Sequence, residues 1–294
     1  MKKSPIIVLL FLCLNLNYGL AIQQASSQDS VPPDVQAWNQ ISSTVDPASR
    51  SQMALRFIEN YPDSDLIFSV HHLLALYYLG TNNQDAFIEH GEKAIEGLPS
   101  LPDILVHLAF IYAETNQPDL AVKRAVTALQ LVKNLPDPDE EAAIDWYAQL
   151  ERLEGEANYA LGRAYLTYSQ QSEERREMNL TRSVGYLQNA LQHDPRHAYA
   201  SLRLGHAYSN LNRAVGAIRA YARAVAIGGR TAEPARQELT RLLAVIQDAA
   251  PESAWKEETV ERIIQSAEEE LSEAERLQRE AIAEKASRLA AFGS

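Results

Sequence analysis

Large apolar, small and aromatic residues recur along this chain in a fixed order. Leu108-Ala109-Phe110-Ile111-Tyr112, Leu161-Gly162-Arg163-Ala164-Tyr165 and Leu204-Gly205-His206-Ala207-Tyr208 each place a large apolar residue, a small one, and an aromatic three positions later. On a helix the Leu and the aromatic, four apart, share a face, and the small residue beside them lets a second helix approach closely. A second stripe follows, Ala121, Ala125 and Ala128 in one place and Ala217, Tyr221 and Ala224 in another. Both stripes begin twelve residues after the small residue of the preceding segment, Ala109 and Gly205. The spacing therefore predicts successive pairs of short amphipathic helices, an all-α helical-repeat solenoid.

This pattern resembles the tetratricopeptide repeat, a helix-turn-helix unit of about 34 residues. Leu204, Gly205, Tyr208, Ala217, Tyr221 and Ala224 match its signature, as do Leu108, Ala109, Tyr112, Ala121 and Ala128. An earlier unit offers Leu74, Ala75, Tyr78, Ala94 and Pro99, with Ala86 one place early, which predicts an irregular turn there. A further unit has Leu161, Gly162 and Tyr165, and its second helix, with Ser183, Leu187, Ala190 and Pro195, is displaced by the charged segment 171–178. Four units are thus expected over 68–101, 102–135, 155–197 and 198–231. A degenerate helix pair over 33–67 precedes them, with Asp46-Pro47 as N-cap and first-turn proline. Asp137-Pro138-Asp139-Glu140-Glu141 starts a helix that runs without Pro or Gly to Gly155 and predicts one long helix reaching Ser169. Residues 232–294 read as capping helices; the last one, over 252–289, covers the final repeat with its first half and projects or self-pairs with its second.

The first 21 residues stand apart. Lys2 and Lys3 precede an apolar run from Ile6 to Leu14, and Gly19-Leu20-Ala21 supplies small residues for cleavage. This is the pattern of an export signal cut after Ala21, and its run is too short for the roughly 20 residues that span a bilayer. Residues 22–32 then form a linker. Export makes the destination the periplasm or the medium, and no transmembrane segment is expected in the mature chain. The single cysteine, Cys13, lies inside the signal, so the mature chain offers neither a disulfide nor a thiolate ligand. Net charge is -12, and loss of Lys2 and Lys3 makes it more acidic, which disfavours nucleic acid because phosphate binding needs surplus Lys and Arg.

Phosphate-loop, dinucleotide, zinc-helix and nucleophile-elbow motifs do not occur, so no enzyme activity, cofactor or metal is expected. His193 and His197 stand four apart, but Pro195 between them puts the pair in a turn rather than on a ligating helix face. Asn179-Leu180-Thr181 matches a glycosylation sequon, which carries meaning only in some hosts. In the repeat family, the groove is lined from one position after the small residue and three before it. The resemblance therefore implies a groove of His72, Leu76, Val106, Phe110, Tyr159, Arg163, Leu202 and His206, largely apolar and aromatic. Such a groove takes a peptide or a helix, and the expected partners are proteins or peptides. The carboxylate-binding clamp of some relatives is not matched by Val106, Phe110, Tyr159 or Leu202. The expected function is a non-catalytic exported scaffold, monomeric or weakly self-associating. An envelope-assembly factor is the alternative, suggested by the likeness of Tyr61-Pro62-Asp63-Ser64 to helix exits in exported bacterial repeat proteins, including an outer-membrane assembly lipoprotein. Self-association through the last helix is another.

Overall fold

The computed structural model describes residues 31–250 and 252–292; the expected export signal and most of the expected linker lie outside them. The described residues form twelve α-helices in successive antiparallel pairs, with no strand among them. The chain divides into two compact units between Pro99 and Ser100, inside what the sequence reads as one array of four repeats. Pro99 lies just past the end of one helix and Pro102 opens the next, so the division falls in a segment that neither helix can extend across.

The first unit contains α1 (Pro33–Ser43), α2 (Pro47–Asn60), α3 (Ile67–Gly80) and α4 (Gln84–Gly97). Asp46 caps α2 by accepting a 2.7 Å hydrogen bond from the Ser49 amide, satisfying a donor that the helix itself leaves open. Ile41, Ala54, Phe57, Val70 and Leu74 form the core. The turn between α3 and α4 is regular, contrary to expectation. Phe87, not Ala86, occupies the position twelve after Ala75 and is buried. Gly91, also buried, follows where the other repeats carry Ala125 or Tyr221, so a large residue and a small one have exchanged places along the stripe.

The second unit contains α5 (Pro102–Glu114), α6 (Pro118–Lys133), α7 (Ala143–Gln171), α8 (Arg176–His193), α9 (Ala198–Asn210), α10 (Ala214–Ile227), α11 (Ala232–Ala249) and α12 (Val260–Phe292). A shared turn closes α3, α5 and α9. Asn82, Asn116 and Asn212 take positive φ of 57–58°, and the next residue donates its amide to the carbonyl of Tyr78, Tyr112 or Tyr208, at 2.8–2.9 Å. This is the six-residue hydrogen-bonded loop that ends helices, and Asn tolerates its left-handed position better than other side chains do. The small residues act as the sequence implies. A Cβ on Gly205 would stand 2.4 Å from the Tyr221 ring, and one on Gly162 would stand 2.6 Å from Leu187.

Two elements depart from the repeat. α7 is 29 residues long, and its first twelve precede the repeat that begins near Gly155. α12 is packed rather than free. Ile263, Ile264, Ala267 and Leu271 are buried, the first three in one core with α10 and α11, and its far half reaches back to α7. Projection or self-pairing of that half was expected from its Ala, Glu and Arg composition. The extension of α7 provides the surface that the sequence pattern did not reveal.

Candidate partner-binding face

Within the second unit, α5 packs on α7 and α7 on α9, whereas α6 with α8 and α8 with α10 make few contacts or none among the described residues. The first helices of the pairs are therefore closer together than the second, and the unit curves with α5, α7 and α9 on its inner side. Residues one turn apart on these helices meet there. Phe110 on α5, Tyr159 on α7 and Tyr199 on α9 form an aromatic cluster, with ring centroids 5.4, 6.0 and 6.3 Å apart. Next to it lies a charged network. Glu114, the last residue of α5, pairs with Arg163 at 3.5 Å and with Arg203 at 2.9 Å. The Tyr159 hydroxyl donates to the same carboxylate. Arg163 continues to Asn116 Oδ1 at 3.0 Å and Thr167 Oγ1 at 2.5 Å.

One carboxylate thus stands between two guanidinium groups, and a second, Glu156, lies one turn back on α7 against His197, which packs on Tyr159, so both signs of charge meet on this face. The Nε of Arg203 is buried and has no hydrogen-bond partner among the described residues. Burial, together with the repulsion of Arg203, lowers the pKa of Arg163. Burial likewise lowers that of His206, with Arg203 adding to it, so this imidazole stays neutral near pH 7. Burial and the adjacent Glu114 raise the Tyr159 phenol well above its ordinary value, keeping it a hydrogen-bond donor. The face can accept an acceptor-rich segment at its arginines and apolar surface at Phe110 and Tyr199.

The sequence-derived groove is corrected in part. Phe110, Arg163 and His206 are half-buried and lie on the inner helices as the repeat register implies. Val106, Tyr159 and Leu202, three positions before the small residue, are buried at 1%, 0% and 7% exposure. At that position the side chain fills the space between adjacent helices: the Tyr159 ring packs between Phe110 and Tyr199. The face is accordingly less apolar than expected. Glu114, Tyr199 and Arg203 were missed. They are the fifth residue after Ala109, the sixth before Gly205 and the second before Gly205. Each is about one helical turn from a position that was considered, so widening the register by a turn would have found them. In the first unit, His72 and Leu76 are half-buried on α3. His71 points elsewhere, into a buried contact in which its Nδ1 lies 2.8 Å from Nδ1 of His90.

The two histidines read as a turn pair separate. His193 ends α8 and meets Glu151 and Glu154 of α7, while His197 caps α9 by accepting from the Ala200 amide and faces Glu156 at 3.4 Å. Away from the inner face, an open cleft of about 230 Å³ lies between α8, α9, α10 and α12, lined in part by Tyr208, Arg223 and Glu270.

No known family model matches the chain, and no curated protein does. Solved structures do. The chain is similar to PilW, described as a widely conserved type IV pilus biogenesis factor, at 14% identity over 77% of this chain and 97% of that one, with a TM-score of 0.41. It is similar to PilF of Pseudomonas aeruginosa at 14% identity over 76% of this chain and 90% of that one, TM-score 0.39. A thermophilic tetratricopeptide-repeat protein of Thermus thermophilus shares 21% identity over 68% of this chain and 98% of that one, TM-score 0.43.

Proposed function

We propose that this chain is an exported scaffold that binds a protein segment along the inner face of α5, α7 and α9. The observation that carries the reading is the juxtaposition of half-buried Phe110 and Tyr199 with the Glu114–Arg163–Arg203 network. Aromatic and arginine side chains together are the residue types that dominate protein interfaces, because they combine large contact area with directional hydrogen bonding. The partner supplies an apolar side chain for the aromatic cluster and a hydrogen-bond acceptor for Arg203. Export rests on Lys2, Lys3 and the apolar run that follows them.

The test is affinity capture from an envelope extract with residues 22–294, beside Phe110→Glu and Arg203→Glu variants whose helicity is checked by circular dichroism. A partner held by the parent chain and lost by both folded variants supports the reading. Partners held equally by all three overturn it. Export is checked separately by the N-terminal residue of the mature protein, expected at Ile22; an intact Met1 refutes cleavage.

A further inference from the structure

Glu151 and Glu154 lie three residues apart on the extension of α7, a spacing that sets both carboxylates on one helix face. The end of α8 brings His193 against them. Its Nδ1 stands 2.7 Å from Glu151 Oε2 and 3.3 Å from Glu154 Oε2, and the three ligand atoms all lie within 4.8 Å of one another. We propose that Glu151, Glu154 and His193 form a binding site for a divalent transition-metal ion of the zinc class. This site is independent of the partner-binding face.

The chemistry fits on three counts. One imidazole and two carboxylates form a mixed nitrogen–oxygen set that suits zinc and its neighbours better than magnesium, which favours an all-oxygen octahedron. Zinc bound at about 2.0–2.2 Å in a tetrahedron sets its ligand atoms roughly 3.3 Å from one another. The Glu154–His193 separation already has that value, and the Glu151–His193 separation needs to widen by roughly half an ångström. Thirdly, the ligands are oriented by partners beyond them, as metal ligands usually are. The free oxygen of Glu151, Oε1, accepts from Lys285 Nζ at 2.5 Å, leaving Oε2 for the ion. The backbone carbonyl of His193 accepts from the Gln278 side chain, which fixes the end of α8. Two carboxylates offset the charge of the ion, a neutral imidazole adds the nitrogen and water completes the fourth position, with the Lys285 ammonium leaving the filled site one charge positive. Both orienting residues belong to α12, so the ion would join α7, α8 and the terminal helix.

The experiment is isothermal titration of the full chain, free of any polyhistidine tag, with zinc chloride and then with magnesium chloride. His193→Gln, Glu154→Gln and a His71→Gln/His90→Gln double variant are titrated in parallel, each checked by circular dichroism. One zinc per chain is expected, with affinity at least about tenfold weaker in His193→Gln and in Glu154→Gln and unchanged in the double variant. Magnesium is expected not to compete. Saturation that survives His193→Gln and Glu154→Gln, or that disappears in the His71/His90 variant, overturns the assignment. So does the absence of saturable binding at millimolar zinc.

Discussion

Acidification should open the first unit by a mechanism that can be followed atom by atom. His71 on α3 and His90 on α4 are buried, and their Nδ1 atoms lie 2.8 Å apart, so one ring donates and the other accepts. Tyr78 stacks on His90 at 5.4 Å and shields that ring from water. Burial, and then the charge of His90, lowers the pKa of His71 from 6.5 to about 4; burial lowers His90 as well. On α4, Lys93 adds to the cost of a charge on His71 and Glu89 partly offsets it. The sign follows from proton binding. The unfolded chain takes up a proton near 6.5 and the folded one only near 4, so stability is full above 6.5 and falls as pH drops towards 4. For His71 alone the loss between pH 7 and pH 5 comes to about 2 kcal/mol, and protonation of both rings would add the repulsion of two cations. Hydrogen–deuterium exchange on peptides covering α3 and α4 reads this locally, at pH 7 and pH 5 after correction for the intrinsic rate. A His71→Leu/His90→Leu double variant removes both polar groups together and should flatten the response. Unchanged protection in the parent chain at pH 5, or an equal loss in the double variant, would refute the reasoning.

Three further perturbations address the second unit. Gly205→Ala places a methyl group 2.4 Å from the Tyr221 ring and should cost about 1–3 kcal/mol in urea unfolding, whereas Gly185→Ala, with open space at its Cβ, should be neutral or slightly stabilising. Ser183→Ala removes a buried 2.7 Å hydrogen bond to the Gly162 carbonyl, and about 1 kcal/mol should be lost in the same assay. Leu271→Ala empties a buried position on α12 and should lower stability by about 2–4 kcal/mol; no change would mean that the terminal helix is not seated.

The repeating helices were legible because local chemistry specifies them. Tyr78, Tyr112 and Tyr208 each precede an asparagine by four residues, and that asparagine is the one that turns the chain at positive φ. Gly162 and Gly205 could be read as close-approach positions because no larger residue fits against Leu187 or Tyr221. The candidate face was legible only in register. Periodicity marks which side of a helix looks inward, but the depth of Tyr159 depends on Phe110 and Tyr199, which come from helices far away in sequence. The pairing of Arg203 with Glu114 joins residues 89 positions apart. The same limit hid the meeting of His193 with Glu151 and Glu154. Pro195 was rightly placed in a turn, yet a turn can deliver a histidine to another helix as readily as it can withhold one from its own.

The seating of α12 follows the same division between local pattern and distant contact, and it has a measurable consequence. Its 33 residues extend about 50 Å, enough to pass from α10 to the extension of α7. The two halves are held differently. In the first, Ile263, Ile264, Ala267 and Leu271 are buried, and burial of such side chains contributes about 1.5–3 kcal/mol for each of the larger ones. In the second, among the described side chains, Leu277 is 52% exposed, Ala286 is buried and Ile282 and Leu289 are only half-buried, so polar contacts carry more of the attachment: Glu275 with Arg196, Gln278 with the His193 carbonyl, Lys285 with Glu151. The ion pairs of Arg276 with Glu273 and Glu280 lie within the helix and do not tether it to the unit. Exposed ion pairs are weak and screened by salt. Amide exchange should therefore be slow over 263–271 and markedly faster over 275–289, and raising the salt concentration should speed the second segment more than the first. Equal protection along the whole helix, insensitive to salt, would mean that its far half is held by apolar packing instead.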